Sequence, residues 1–236
     1  MSLILTAHGT RRPAGVAMIG DLAARVAELL DRSIAVAFVD VLGPTPSEIL
    51  SAVHARREPA IVLPAFLSRG YHVRADLPAH IEASGHPNVV VTPALGPGPG
   101  ITRIIHQNLV ETGWQPGDSV ILAAAGTSDR RARADLDLAA TLLSTLTGAP
   151  VELGFAATGT PTIRDAVAAA RRRGARRVVV ASYLLADGLF QERLDHCGAD
   201  LVTRPLGTHP GLARLVADRF RNAADPAVRT LYQRTA

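Results

Sequence analysis

Residues 3–10 read LILTAHGT, and residues 123–127 read AAAGT. Each stretch is an apolar run that ends in a Gly-Thr pair, and His8 of the first aligns with Ala125 of the second. Further landmarks follow in the same order and at nearly constant spacing, so the chain is predicted to be a tandem duplication of one unit. These landmarks pair residues 43–45 with 160–162, 66–72 with 184–190, and 95–100 with 206–211.

The duplication divides the 236 residues into two domains of ordinary size. We expect a first domain over residues 1–113, which would carry the active site, and a second domain over residues 119–222. The Gly-Trp-Gln-Pro-Gly-Asp segment at residues 113–118 has the composition of a linker. Residues 223–236 are expected to form a C-terminal tail.

Short apolar runs alternate with Ala-, Leu- and Arg-rich stretches of helical spacing in both domains. Most runs are continuously apolar, which is typical of parallel strands covered on both faces. The alternation predicts an α/β fold of two tandem domains with mostly parallel sheets and a cleft between them. The predicted strands are 3–7, 34–41, 60–67, 89–94, 119–125, 151–155, 177–185 and 200–205, and the predicted helices are 14–31, 46–57, 75–83, 101–111, 131–146, 162–173 and 211–222.

Two histidines of the first domain follow predicted strands. His8 ends the first strand and precedes a glycine that lets the chain turn, and His72 follows the third strand. Because ligands of open α/β sheets bind at the carboxyl ends of strands, we expect both imidazoles at one functional edge of the sheet. The alternative for His8 is a histidine that merely caps a loop.

Asp40 closes the second predicted strand and could reach the same edge. Two imidazoles and a carboxylate would form an open site for a first-row divalent metal. Asp40 could instead be only a cap for the helix that begins near Pro46.

Four arginines flank the two histidines. Their guanidinium groups suit carboxylates and phosphates, although an arginine-rich chain also carries many arginines that are simply solvated. They are Arg11, Arg12, Arg69 and Arg74.

Composition excludes several classes of function. The formal charge is +4 and the pI about 10.1, but the basic residues are dispersed among acids and only 4% of residues are aromatic, so nucleic acid is not expected as a partner. Cys197 is the only cysteine, which excludes an internal disulfide and fits the reducing cytoplasm. No apolar run is long enough for a membrane span, and no nucleotide-binding glycine loop is present.

The Thr-Ala-His-Gly-Thr sequence at 6–10, together with Pro-Ala-Phe-Leu at 64–67 running into Gly-Tyr-His-Val-Arg-Ala-Asp-Leu-Pro at 70–78, resembles the class II tetrapyrrole chelatases. The resemblance is to the sirohydrochlorin chelatase family of the CbiX and SirB type, and it extends over most of the chain. It implies insertion of Fe²⁺ or Co²⁺, with Ni²⁺ as a further candidate, into sirohydrochlorin without ATP, toward siroheme or cobalamin.

The same resemblance implies roles for individual residues. His8 and His72 would be the catalytic pair that holds the metal or accepts pyrrole protons. Family members often have glutamate where this chain has Asp40, so a direct metal contact from this shorter side chain is less secure. The arginines would hold the anionic tetrapyrrole. From the duplication, not from the resemblance, we expect Phe190, which aligns with His72, to pack on the macrocycle. A duplicated chain can replace a homodimer, so we expect a monomer.

Two other functions remain open at this point. Histidine phosphatases also place a His-Gly pair after the first strand of an α/β fold, but an arginine precedes it there and Ala7 precedes it here. A non-catalytic metal or tetrapyrrole carrier would have the same fold and would bind without turnover.

Overall fold

The protein is described from a computed structural model, in which residues 1–226 are defined. Residues 227–236, which make up most of the predicted tail, lie outside the described residues. The chain forms two compact units. No helix within residues 1–226 is both long and apolar enough to cross a membrane.

Unit 1 contains a four-stranded sheet of order β2-β1-β3-β4 in which every pairing is parallel. Its strands are mostly apolar, and buried side chains of β1 and β3 pack with those of α2 and α3 in one core cluster. The elements are β1 (Ser2–Ala7), α1 (Pro13–Leu30), β2 (Ile34–Phe38), α2 (Pro46–Ala55), β3 (Ala60–Pro64), a π-helical turn (His72–Asp76), α3 (Leu77–Ala83) and β4 (Val89–Val91).

Unit 2 repeats this arrangement with a parallel sheet of order β6-β5-β7-β8. The prediction of an α/β fold with two tandem parallel sheets is therefore confirmed, as is the number of strands within the described residues. Its elements are α4 (Pro99–Thr112), β5 (Ser119–Gly126), α5 (Arg130–Thr147), β6 (Glu152–Thr158), α6 (Ile163–Arg172), β7 (Val178–Ser182), α7 (Leu189–Asp195) and β8 (Leu201–Val202).

The compact units differ from the sequence repeats by one helix each. Unit 2 spans Gly96–His209 and so includes α4, which ends the first repeat. Unit 1 comprises Met1–Leu95 together with α8 (Pro210–Ala224), which ends the second repeat and also takes up the first residues of the predicted tail. Each repeat thus contributes its last helix to the other unit, an exchange that sequence periodicity does not reveal.

Hydrogen bonds fix both exchanged helices in these units. Arg219 of α8 donates to the carbonyl oxygens of Pro93 and Leu95, at 2.9 and 3.2 Å, and Arg221 donates to that of Leu29 at 2.7 Å. In unit 2 the buried Asn108 of α4 donates to the Arg204 carbonyl at 2.9 Å. The helices are therefore integral parts of the units that they complete.

Candidate active site

The sheet order places a topological switch point in unit 1. The chain passes from β1 to β2 on one side of β1 and then to β3 on the other side, so the loops after β1 and β3 diverge at the carboxyl edge of the sheet. Open α/β sheets bind ligands in the crevice that such divergence creates. His8 follows β1 directly, and His72 begins the π-helical turn after β3.

The two predicted histidines meet at this edge. Their ring centroids lie 4.4 Å apart with the ring planes at 78°. His8 is exposed and His72 is partly buried, so a ligand can reach both rings, and the surrounding protein restricts the His72 ring more than the His8 ring. A histidine that only caps a loop would not be expected to contact a second imidazole from the turn after another strand. The contact between the two rings therefore favours the functional interpretation of His8.

Both rings are oriented through Nδ1. That of His8 lies 3.2 Å from the Gly9 carbonyl oxygen, and that of His72 lies 2.5 Å from Oδ2 of Asp76. A carbonyl or an ionised carboxylate can only accept, so in the neutral rings Nδ1 carries the proton and donates. The lone pair of each Nε2 then remains available to a metal or a proton.

Gly9 allows the loop after β2 to pass directly over the turn that follows His8. The Gly9 φ is +99°, and a Cβ there would lie 2.1 Å from the carbonyl oxygen of Asp40. The Asp40 N–H donates to the His8 carbonyl at 3.0 Å, which fastens the two loops together. Only glycine fits this conformation and this approach.

Asp40 lies beside His8 through its backbone, but its carboxylate has another partner. Oδ1 accepts the Val41 N–H at 2.7 Å, and the Leu42 N–H donates to the Asp40 carbonyl at 2.8 Å, forming a tight turn in which Val41 has a φ of 70°. Within residues 1–226, no three His, Cys, Asp or Glu side chains are grouped to hold a metal. The structure therefore does not assemble the predicted three-ligand set of His8, His72 and Asp40.

The predicted arginines are all exposed beside the histidines, Arg74 within the π-helical turn and the other three on loops. Nε of Arg74 donates to the Arg69 carbonyl at 3.1 Å, which stabilises the loop before the π-helical turn. The backbone N–H of Arg12 bonds to Oγ1 of Thr10 at 3.2 Å. The Arg11 guanidinium makes no hydrogen bond or ion pair with any described residue, and it is therefore free to bind an anion.

The sequence matches the CbiX protein family twice, over residues 2–112 and again over residues 119–223. The chain belongs to the CbiX family. It is 25% identical over 238 residues to a sirohydrochlorin ferrochelatase of Priestia megaterium, an alignment that covers 93% of this chain and 89% of the relative. The resemblance predicted from the two histidine motifs is thereby confirmed.

Other relatives bear on the architecture of this CbiX-family chain. A sirohydrochlorin cobaltochelatase of Methanothermobacter thermautotrophicus is 29% identical over 130 residues, which cover 90% of that relative but 46% of this chain. That relative thus has the length of about one repeat. The structure of SirB from Bacillus subtilis with Fe³⁺ matches with a TM-score of 0.81 at 18% identity over 96% of both chains, which shows a common fold.

The second CbiX repeat retains the glycine turn of the site without the histidines. Gly126, the counterpart of Gly9, has a φ of +105°, and a Cβ there would lie 1.7 Å from the Thr158 carbonyl oxygen. Ala125 takes the position of His8 and has no ligating atom. Phe190 takes that of His72; it is 39% exposed at the start of α7, with the Arg193 guanidinium 5.9 Å from its ring centroid.

Sequence reasoning overlooked Asp76, the carboxylate that contacts His72. The signal was present as a His-x-x-x-Asp spacing, which places the two side chains on neighbouring turns of any helix. The predicted helix began only at Ala75, however, so the pair was not recognised. Of the remaining histidines, His86 is buried and bonded to the Glu58 carbonyl at 2.8 Å, in a structural role.

Proposed function

We propose that this protein is a sirohydrochlorin chelatase that inserts Fe²⁺ or Co²⁺ into the macrocycle without a nucleotide. The observation that carries the proposal is the contact between His8 and His72, with both Nε2 atoms unengaged, at the switch point of a CbiX-family sheet. The names of the two curated relatives, a ferrochelatase and a cobaltochelatase, support the substrate class and leave the metal open.

The two-histidine site suits a metal that is a substrate. A resident metal site supplies three or four protein ligands, whereas the described residues offer two imidazoles here. Two ligands strip part of the water from the ion and leave coordination positions for pyrrole nitrogens. Because two ligands bind the ion less tightly than three or four, the metal can leave the protein for the macrocycle.

Insertion also requires the departure of two pyrrole N–H protons. A neutral imidazole with a free Nε2 lone pair accepts such a proton near neutral pH. Two aromatic rings beside the histidine pair offer a surface for a flat ligand. The ring centroids of Phe66 and His72 lie 6.2 Å apart with their planes at 25°, and Tyr71 is 64% exposed. We therefore propose that His8 and His72 hold the incoming metal or accept the pyrrole protons, since one Nε2 lone pair serves one of these tasks at a time.

Purified protein should accelerate metal insertion when sirohydrochlorin is incubated separately with Fe²⁺, Co²⁺ and Ni²⁺ and the absorbance change is followed. Many turnovers per protein are expected with at least one metal, and added ATP should have no effect. A single stoichiometric change would support a carrier instead. Hydrolysis of a phosphomonoester with no metal insertion would support the histidine-phosphatase alternative, which no specific feature of the site favours.

Exposed arginines beside the pair should hold the carboxylates of the substrate. We expect Gln substitution of Arg11, Arg12, Arg69 or Arg74 to raise KM about two- to fivefold with little change in kcat, the size expected of an exposed ion pair. Binding should weaken with added salt. Arg57→Gln, at the opposite end of β3, serves as the control, and KM values matching that control in all four variants would show that these arginines are only solvated.

The oligomeric state and location are parts of the same proposal. This chain contains two copies of the repeat, which can do within one chain the work of a homodimer, so we propose a monomer, to be measured by light scattering. Burial raises the pKa of Cys197, the single thiol, which keeps it protonated and unreactive. Such a thiol needs no oxidising compartment, and we propose the cytoplasm.

A further inference from the structure

We propose that Asp76 is a positioning residue that fixes the orientation and tautomer of His72, an inference that rests on the proposed function. The Oδ2 atom of Asp76 lies 2.5 Å from Nδ1 of His72, the shortest contact made by either histidine of the pair. Both side chains are about 30% exposed, so water competes with this bond only in part. A carboxylate that accepts from the distal nitrogen of a metal-handling histidine fixes which nitrogen faces the metal.

The local backbone holds Asp76 in place. The Leu77 N–H donates to the carbonyl of His72, five residues earlier, which defines the π-helical turn. Leu77 is 1% exposed and belongs to the core cluster of unit 1, so the residue after Asp76 is anchored. The N–H groups of Val73 and Arg74 both donate to the Gly70 carbonyl at 3.2 Å, which fixes the start of the turn.

The two histidines are oriented by different means. His8 is oriented by the carbonyl of the next residue, at 3.2 Å, a partner that no side-chain substitution removes. His72 depends on a side chain, and among the described residues no other acceptor is recorded for its Nδ1. Removing the carboxylate should therefore release the His72 ring and let its proton move to Nε2, where it would block the lone pair that faces the substrate.

A purely structural role predicts something different. A His–Asp pair that only supports a helix surface would contribute slightly to stability, and its loss would leave kcat unchanged. Glu82 of α3 provides a matched control because its exposed carboxylate lies on the same segment and makes no side-chain hydrogen bond or ion pair within residues 1–226.

The test compares Asp76→Ala, the isosteric Asp76→Asn and the control Glu82→Gln with the unmodified protein. Nitrogen-15 NMR of the imidazoles at alkaline pH reports the tautomer of His72 without any metal or substrate, and circular dichroism reports folding. We expect Nδ1–H in the unmodified protein and in Glu82→Gln, a shift toward Nε2–H in Asp76→Ala, and a smaller shift in Asp76→Asn. If Asp76→Ala does not fold, Asp76→Asn decides the question.

Steady-state kinetics provide the second readout. The Asp76→Ala variant should lose kcat for metal insertion by about 10- to 100-fold, with KM for sirohydrochlorin changed by less than about twofold. Nδ1–H persisting in both Asp76 variants, or kcat in both equal to that of Glu82→Gln, would overturn the proposal. If the unmodified protein shows no insertion but its His72 tautomer responds to Asp76→Ala, the proposed function fails and the positioning of His72 stands.

Discussion

Gly9→Ala is expected to destabilise the protein by about 2–4 kcal/mol, because the new Cβ would meet the Asp40 carbonyl oxygen at 2.1 Å in a backbone conformation that alanine rarely adopts. The clash is with main-chain atoms, so no side-chain rotation relieves it. The loop after β2 would have to lift away from the His8 turn, which breaks the bond from the Asp40 N–H to the His8 carbonyl. Metal insertion should fall with it.

Gly20→Ala is the matched control. Gly20 lies inside α1, and a Cβ there would meet nothing within 4 Å. This substitution should leave stability unchanged or raise it by about 0.5–1 kcal/mol, because alanine restricts the unfolded chain and favours a helix. The free energy of unfolding from urea titrations followed by circular dichroism checks both variants. Equal stability of Gly9→Ala and the unmodified protein would mean that the two loops are not packed as described.

The second repeat separates the structural role of this glycine from the chemistry beside it. Gly126 has the same positive φ and the same close approach to a facing carbonyl, yet its neighbour is Ala125 where the first repeat has His8. The loop crossing therefore belongs to the fold of either repeat. At the position before this glycine, only the first repeat has an imidazole.

Removal of either imidazole should lower the rate of metal insertion at least about tenfold, within the range found when a positioned acid–base group is lost. His8→Ala and His72→Ala should both fold normally, since His8 is exposed and His72 only partly buried. Truncation takes away a metal ligand or a proton acceptor, so kcat should fall more than KM rises.

Changes at the equivalent positions of the second repeat provide the comparison. Ala125→Ser should have little effect on the rate, and Phe190→Ala should act mainly through packing or substrate affinity, because neither position has a metal ligand to lose. Insertion rates for all four variants, with folding checked by circular dichroism, test the assignment. Wild-type rates in both histidine variants, with turnover abolished by the second-repeat changes, would refute it.

The sequence predicted the sheets and the histidine pair because both depend on short-range patterns. Continuous apolar runs identify buried parallel strands, and the carboxyl ends of such strands meet at one edge of the sheet. The proximity of His8 and His72 could therefore be predicted from the sequence. Strand ends were less accurate: β2 ends at Phe38 and the predicted strand at 41, since the chain leaves the sheet to form the Asp40 turn.

Features set by tertiary contacts could not be predicted in this way. The exchange of α4 and α8 depends on which unit buries each helix. Because the two repeats have the same hydrophobic pattern, the sequence does not indicate whether a helix packs in its own unit or in the other one. Helix α7 is absent from the predicted helices, although α3, which is equally short, is among them. The role of Asp76 depends on a π-helical turn, which no simple hydrophobic period indicates.

The catalytic role of the histidine pair is tested by the initial rate of cobalt insertion with sirohydrochlorin in large excess over protein, measured for the unmodified chain and for the His8→Ala/His72→Ala double variant. We expect many turnovers for the unmodified chain and a rate for the folded double variant no higher than that of cobalt and sirohydrochlorin alone. Equal rates for the two proteins, or no turnover by the unmodified chain with Co²⁺, Fe²⁺ or Ni²⁺, would contradict this role.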